Sequence, residues 1–241
     1  LSIPCADRPN GRRAGGGVTA VAAVSEVPVA PASPERFRGL LGDEYSQVEK
    51  AIDAARLLEG CVIWHVSSTA RGGGVAEMLQ SLLTYARGAG VDVRWVTIAG
   101  NEDFFRITKR IHNNLHGSPG DGGDLGRPEH EVYERALMES ASDLTGLVRA
   151  GDLVYLHDPQ TAGIAPHIKS HDVSVIWRCH VGLDRPDSLA RRAWSFLGRY
   201  LEDADAYVFS RKEFVWDALD EKKVWLVAPS IDAFSPKNHD L

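Results

Sequence analysis

The stretch CVIWHVSSTARGGGVAEMLQSLLTYA, residues 61–86, changes hydrophobic period in its middle. Residues 61–66 are a short run of apolar, β-branched and aromatic side chains, the composition of a strand. Gly72, Gly73 and Gly74 follow, and then Val75, Met78, Leu79, Leu82, Leu83 and Ala86 recur at the spacing of one helix face. The reading is strand, tight turn, helix. Downstream the same alternation continues: strands over 91–98, 152–157, 173–180, 205–210 and 223–228, and helices over 103–115, 129–148, 189–201 and 213–219. Strands that alternate with helices pair in parallel, which predicts an α/β fold with a doubly wound, Rossmann-like parallel sheet. Upstream, Ser33-Pro34-Glu35 signals a helix start, and Tyr45, Val48, Ile52 and Ala55 keep helical spacing until Gly60. The expected layout is a disordered tail over 1–32, a helical segment over 33–60 and the sheet domain over 61–229.

Composition narrows the function classes. The chain has 241 residues, with 27 Lys+Arg against 33 Asp+Glu and a net charge of −6, and it shows no dense basic stripe, so nucleic acid is not expected as a partner. No apolar run approaches the roughly 18 residues that span a bilayer, so no membrane partner is expected. Cys5, Cys61 and Cys179 are few and far apart, which suits a reducing compartment without a disulfide framework; a cytoplasmic location is expected.

Ligands of open α/β sheets bind outside the carboxyl ends of the strands, where a glycine turn lets backbone approach the ligand and the next helix aims free N–H groups at it. Gly72–Gly74 fit that position, although a turn that merely needs positive φ would use the same residues. Neither the G-x-G-x-x-G nor the G-x-x-x-x-G-K-[ST] spacing occurs at this turn. Other strand ends add polar groups to the same edge. Strand 152–157 runs into His157, Asp158 and Gln160, strand 173–179 runs out into His180 and Gly182, and strand 205–209 runs out into Ser210 and Arg211. Lys109, His112 and His116 either line this rim or form a solvated helix face. His112 and His116 have an i, i+4 metal spacing, but no third ligand is evident, so no metal is expected. Cys179 and His180 are adjacent in a strand and point to opposite faces, which excludes a nucleophile–base pair.

Six stretches carry a family resemblance: STARGGGVAEML (68–79), FRITKRIHNNLHG (105–117), LHDPQTAG (156–163), WRCHVGLD (177–184), YLEDADAYVFSR (200–211) and PSIDAFSPKN (229–238). Together they resemble the N-terminal half of the trehalose synthase (glycosyltransferring) branch of the family 4 retaining glycosyltransferases, a group that also includes trehalose phosphorylases. The resemblance implies the N-terminal half of a GT-B enzyme that transfers glucose from a nucleotide-diphosphate glucose to glucose with retention, forming trehalose, with no cofactor and no metal. It places Gly72–Gly74 against the donor diphosphate and His180 beside the transferred sugar. Asp158, Gln160 and His157 fall on the acceptor side, and Asp158 joins His180 as a catalytic candidate. Arg178, Arg211 and Lys109 are secondary candidates. Residues 230–241 match the hinge toward a C-terminal nucleotide-sugar domain, which implies that this chain is incomplete and inactive alone; sugars, that missing domain and a homodimer mate are the implied partners. Glu131/Glu139 and Glu213/Glu221 share the family's E-x7-E spacing, but they fall in first-domain helices and carry no role. A phosphorylase half and a non-catalytic sugar-binding remnant are the alternative readings.

Overall fold

The computed structural model describes residues 23–230 and 232–235. In chain order its elements are β1 (Val24–Val27), α1 (Arg38–Leu41), α2 (Tyr45–Ala55), β2 (Ile63–Ser67), α3 (Gly74–Gly88), β3 (Val93–Ile98), α4 (Glu102–Leu115) and α5 (Arg127–Leu147). Then come β4 (Leu153–His157), α6 (Ala165–Ile168), β5 (Ser174–Cys179), α7 (Ser188–Leu201), β6 (Ala206–Phe209) and β7 (Val224–Leu226). Seven strands form one sheet in the order β1-β3-β2-β4-β5-β6-β7. The pairs from β3 to β7 are parallel, as the alternation predicts.

β1 departs from that expectation. It pairs antiparallel with β3, Val24 opposite Ile98 and Val27 opposite Trp95. Residues 24–27, placed in the tail by sequence, are therefore an edge strand, while residues 1–22 lie outside the described residues. The cause is tertiary: Asp143 of α5 accepts the Ala23 and Val24 N–H groups at 2.6 and 3.3 Å, and Ser140 donates to the Ala23 carbonyl at 3.1 Å. A weak VSEV pattern carries no trace of those distant partners. Two smaller differences are local. The helix expected over 213–219 is a single 3-10 turn, Lys212–Phe214, and Cys61 is disulfide-bonded, whereas Cys179 is a free, buried thiol. Spacing along a chain does not report the Cα separation on which a disulfide depends.

The sheet faces differ. On one, Trp64, Val66, Val154, Leu156, Val175, Trp177 and Cys179 join the inner sides of α4, α5, α6 and α7 in a continuous apolar core. Each large side chain buried there, Trp177 and Phe104 among them, contributes about 1.5–3 kcal/mol. On the other face a smaller cluster under α3 holds Cys61, Ile63, Trp95, Leu153, Leu79 and Leu83. Toward the carboxyl ends of the strands this second face turns polar: Ile63 is followed at alternate positions by His65 and Ser67, Leu153 by Tyr155 and His157, and Ile176 by Arg178 and His180. That change of character along one face positions the candidate site.

Candidate functional site

The crossover from β2 to β3 uses α3 on one face, and the crossover from β3 to β4 uses α4 and α5 on the other. Strand order therefore reverses between β2 and β4, and a crevice opens at their carboxyl ends, the general ligand position of doubly wound sheets. A cavity of about 270 Å³ occupies this crevice, with Ser67–Thr69, Gly72–Gly74, Lys109, His112, His157, Asp158 and Gln160 in its lining. The turn after β2, the exit of β4 and the Lys109–His112 side of α4 thus converge.

The glycine turn has a conformational reason. Gly72 and Gly73 have φ of 74° and 94°, a region in which a side chain costs about 1–2 kcal/mol. Gly73 is the N-cap of α3 and carries no side-chain cap, so the first N–H groups of a 15-residue helix open at the cavity without an intrahelical acceptor.

Asp158 is the second anchor. Its φ of 62° is left-handed, and five hydrogen bonds hold it there, one of them from the Thr161 N–H to its carbonyl at 3.3 Å. The Asp158 N–H donates to the Arg178 carbonyl at 2.9 Å, its own carbonyl accepts from Trp177 Nε1 at 3.1 Å and Thr161 Oγ1 at 3.3 Å, and its Oδ1 accepts the His180 N–H at 2.8 Å. Burial pushes the Asp158 carboxyl up to about 6, against the opposing pull of the His180 N–H and the Arg178 cation. Oδ2 has no hydrogen bond among the described residues and is left for the cavity.

His65, His157 and His180 lie in line across β2, β4 and the end of β5. His65 Nδ1 is 3.0 Å from His157 Nε2, and His157 Nδ1 is 3.2 Å from His180 Nε2. The ring planes are nearly parallel, 21° and 19° between successive planes, and the rings meet edge to edge. Burial lowers His65 and His180 to about 3 and holds His157 well below its usual value, with Arg178 adding electrostatic pressure in each case. At neutral pH the three rings are uncharged. His112, half-buried on α4 beside Lys109 and His116, is likewise lowered to about 4, chiefly by burial.

Among the sequence candidates, Gly72–Gly74, Asp158, Gln160, His157 and Lys109 share the cavity wall, and His180 joins through His157 and Asp158. His157, however, has both ring nitrogens engaged by other histidines, so its ring stands behind the site. Arg178 is buried and lines the neighbouring pocket of about 440 Å³ between α3 and Val227, Ala228, Ser230 and Asp232; its Nε has no partner among the described residues. Arg211 is not brought in: it is exposed and paired with Asp184 and Glu213. His65 escaped the sequence reading, because a single histidine within CVIWHV is indistinguishable from a buried strand residue. The described residues contain no group of three or more His, Cys, Asp or Glu that could hold a metal ion.

Comparisons with known proteins bear on the family and the fold. Residues 65–216 match the family described as "Trehalose synthase, N-terminal domain". The chain is 36% identical over 209 residues to a trehalose synthase of Pyrococcus horikoshii, covering 86% of this chain and 48% of that protein. It is 34% identical to a trehalose synthase of Rubrobacter xylanophilus over 77% of this chain and 44% of that one, and 28% identical to a trehalose phosphorylase of Pleurotus pulmonarius over 73% and 25%. The chain therefore spans about half the length of the trehalose synthases it matches. A crystal structure of an α,α-trehalose-phosphate synthase (UDP-forming) from Burkholderia xenovorans shares the fold, with a TM-score of 0.51 at 16% identity over 63% of this chain and 40% of that one. The Rossmann-like half of a GT-B glycosyltransferase, expected from sequence, is the fold observed. With 152 consecutive residues matched, from His65 of the histidine line to Trp216 beyond β6, the chain belongs to the trehalose synthase N-terminal domain family.

Proposed function

We propose that this chain is the acceptor-side half of a retaining glycosyltransferase that moves glucose from a nucleotide-diphosphate glucose to glucose and so forms trehalose. The observation that carries the reading is the meeting of the uncapped α3 N-terminus with Asp158 and Gln160 in one 270 Å³ cavity at the strand-order reversal. Cleaving a sugar–diphosphate bond builds negative charge on the leaving phosphate and positive charge on the sugar, so such a site works chiefly by electrostatic stabilisation and positioning. The N–H groups of Gly74 and the following turn of α3 face the departing charge. Asp158 Oδ2, ionised at neutral pH, accepts from acceptor hydroxyls in a charge-assisted bond, and Gln160 adds a neutral donor and acceptor. His180, neutral and held by its backbone to Asp158, stands beside the transferred sugar. Charge of this kind is balanced without a metal or a cofactor, and the nucleotide-binding half is the partner domain.

Calorimetric titration with glucose tests the acceptor half directly. Saturable binding that is lost in His180→Ala and in Asp158→Asn supports the reading; the absence of sugar binding by a folded chain overturns it in favour of a non-catalytic remnant. Trehalose formation by the purified chain alone would overturn the assignment of this chain as half an enzyme.

A further inference from the structure

The histidine line has a property that follows from which nitrogens face each other. Both contacts join the Nδ1 of one ring to the Nε2 of the next, running from His65 to His157 to His180. A neutral imidazole carries one N–H and one lone pair. If His157 carries its proton on Nδ1, it donates to His180 Nε2, which must then be the lone pair, and His180 is protonated on Nδ1. The same His157 accepts at Nε2, so His65 must donate from Nδ1. If His157 carries its proton on Nε2, each assignment reverses and all three rings are protonated on Nε2. Mixed combinations set two protons or two lone pairs against each other at 3.0 or 3.2 Å.

The geometry points to a tautomer-coupled triad, in which His65 and His157 are positioning residues that decide which nitrogen His180 presents to the site. His65 and His157 are 6% and 1% exposed, so water does not rescue a broken contact between them. Arg178, opposite His157 in the β5 register, opposes a fourth ring proton entering the line; Tyr155, stacked on His65 at 5.1 Å, and Asp158, bonded to the His180 N–H, are the other titratable groups against it. In the all-Nδ1 state the free Nδ1 of His180 is a donor, and in the all-Nε2 state it is an acceptor. His65 thus reaches the edge of the site through two hydrogen bonds without touching it.

The consequence for a sugar hydroxyl rests on the role given above to His180, but the coupling itself is measured without ligand. In protein with ¹⁵N-labelled histidine, two-bond ¹H–¹⁵N correlations distinguish protonated from bare ring nitrogens. His157 and His180 are expected to show one and the same tautomer; opposite tautomers, or fast averaging in either ring, overturn the triad. His65→Phe keeps a stacked ring and removes the nitrogen. Its expected effect is loss of the single tautomer at His180; a His180 spectrum unchanged in folded His65→Phe overturns the assignment of His65. Should that variant not fold, the wild-type comparison of His157 with His180 decides alone. An intact triad in a chain that binds no glucose refutes the functional reading and leaves the coupling standing.

Discussion

The backbone N–H of His180 donates to Asp158 Oδ1 at 2.8 Å across 22 residues of sequence and joins the exit of β5 to the exit of β4. Because Asp158 also sits at a φ of 62°, replacing it removes an acceptor and raises a backbone cost together. Asp158→Ala is expected to destabilise the chain by about 2–5 kcal/mol, summing the left-handed penalty and an unsatisfied N–H. Asn keeps an acceptor oxygen and tolerates that conformation, so Asp158→Asn is expected to cost about 1 kcal/mol or less. Urea unfolding of the pair checks this, and equal stabilities would contradict it.

Acid stability follows from the rings. His65 and His180 titrate near 3 and His157 well below 6.5 in the native chain, so below pH 6.5 the unfolded state takes up protons that the native state refuses. Stability therefore falls as pH falls, each ring contributing up to about 1.4 kcal/mol per pH unit. Asp158, raised from 3.8 to about 6, acts in the opposite sense: its contribution is present at low pH and is lost as pH rises through about 6. With three rings against one carboxyl the net slope between pH 6.5 and 5 is downward on acidification. Unfolding curves of His65→Phe over that window are expected to show a slope shallower by up to about 1.4 kcal/mol per pH unit, the limit being approached near pH 5.

The N-terminal edge strand depends on Asp143, which accepts from Ala23 and Val24. Asp143→Ala is expected to cost about 1–2 kcal/mol. Amide exchange of residues 24–27 should accelerate while that of β5 holds. Unchanged exchange across β1 would show that pairing with β3 alone keeps the strand.

Neighbouring glycines of the turn should respond differently to a methyl group. A Cβ at Gly73 meets open space but sits at a φ of 94°, so Gly73→Ala is expected to cost about 1–2 kcal/mol from backbone strain alone. Gly74 lies in α3 without positive φ and also faces open space, so Gly74→Ala is expected to be neutral or stabilising by up to about 1 kcal/mol. Thermal melts of the two variants read the difference.

The parallel strands and their helices were legible because the hydrophobic period switches sharply, most clearly across residues 61–86, and the carboxyl-edge polar groups Asp158, Gln160 and His180 were legible because each follows an apolar run. β1 was not, since its pairing is decided by Trp95, Ile98 and Asp143, far away in sequence. His65 was equally hidden: its meaning comes from the β2–β4 register, which sets it opposite Tyr155 and diagonal to His157. Arg211 looked like a rim residue for the same reason as Asp158, but two carboxylates hold it at the surface.

Whether the turn at 72–74 and the exits of β4 and β5 make one site is tested most directly by amide shift mapping of the ¹⁵N-labelled chain titrated with glucose and, separately, with pyrophosphate. Glucose is expected to move the resonances of Asp158, Gln160 and His180, and pyrophosphate those of Gly72, Gly73 and Gly74, with each ligand altering the affinity of the other. Shifts confined to other surfaces, or two sites that respond without influencing each other, would contradict a shared sugar and phosphate cavity.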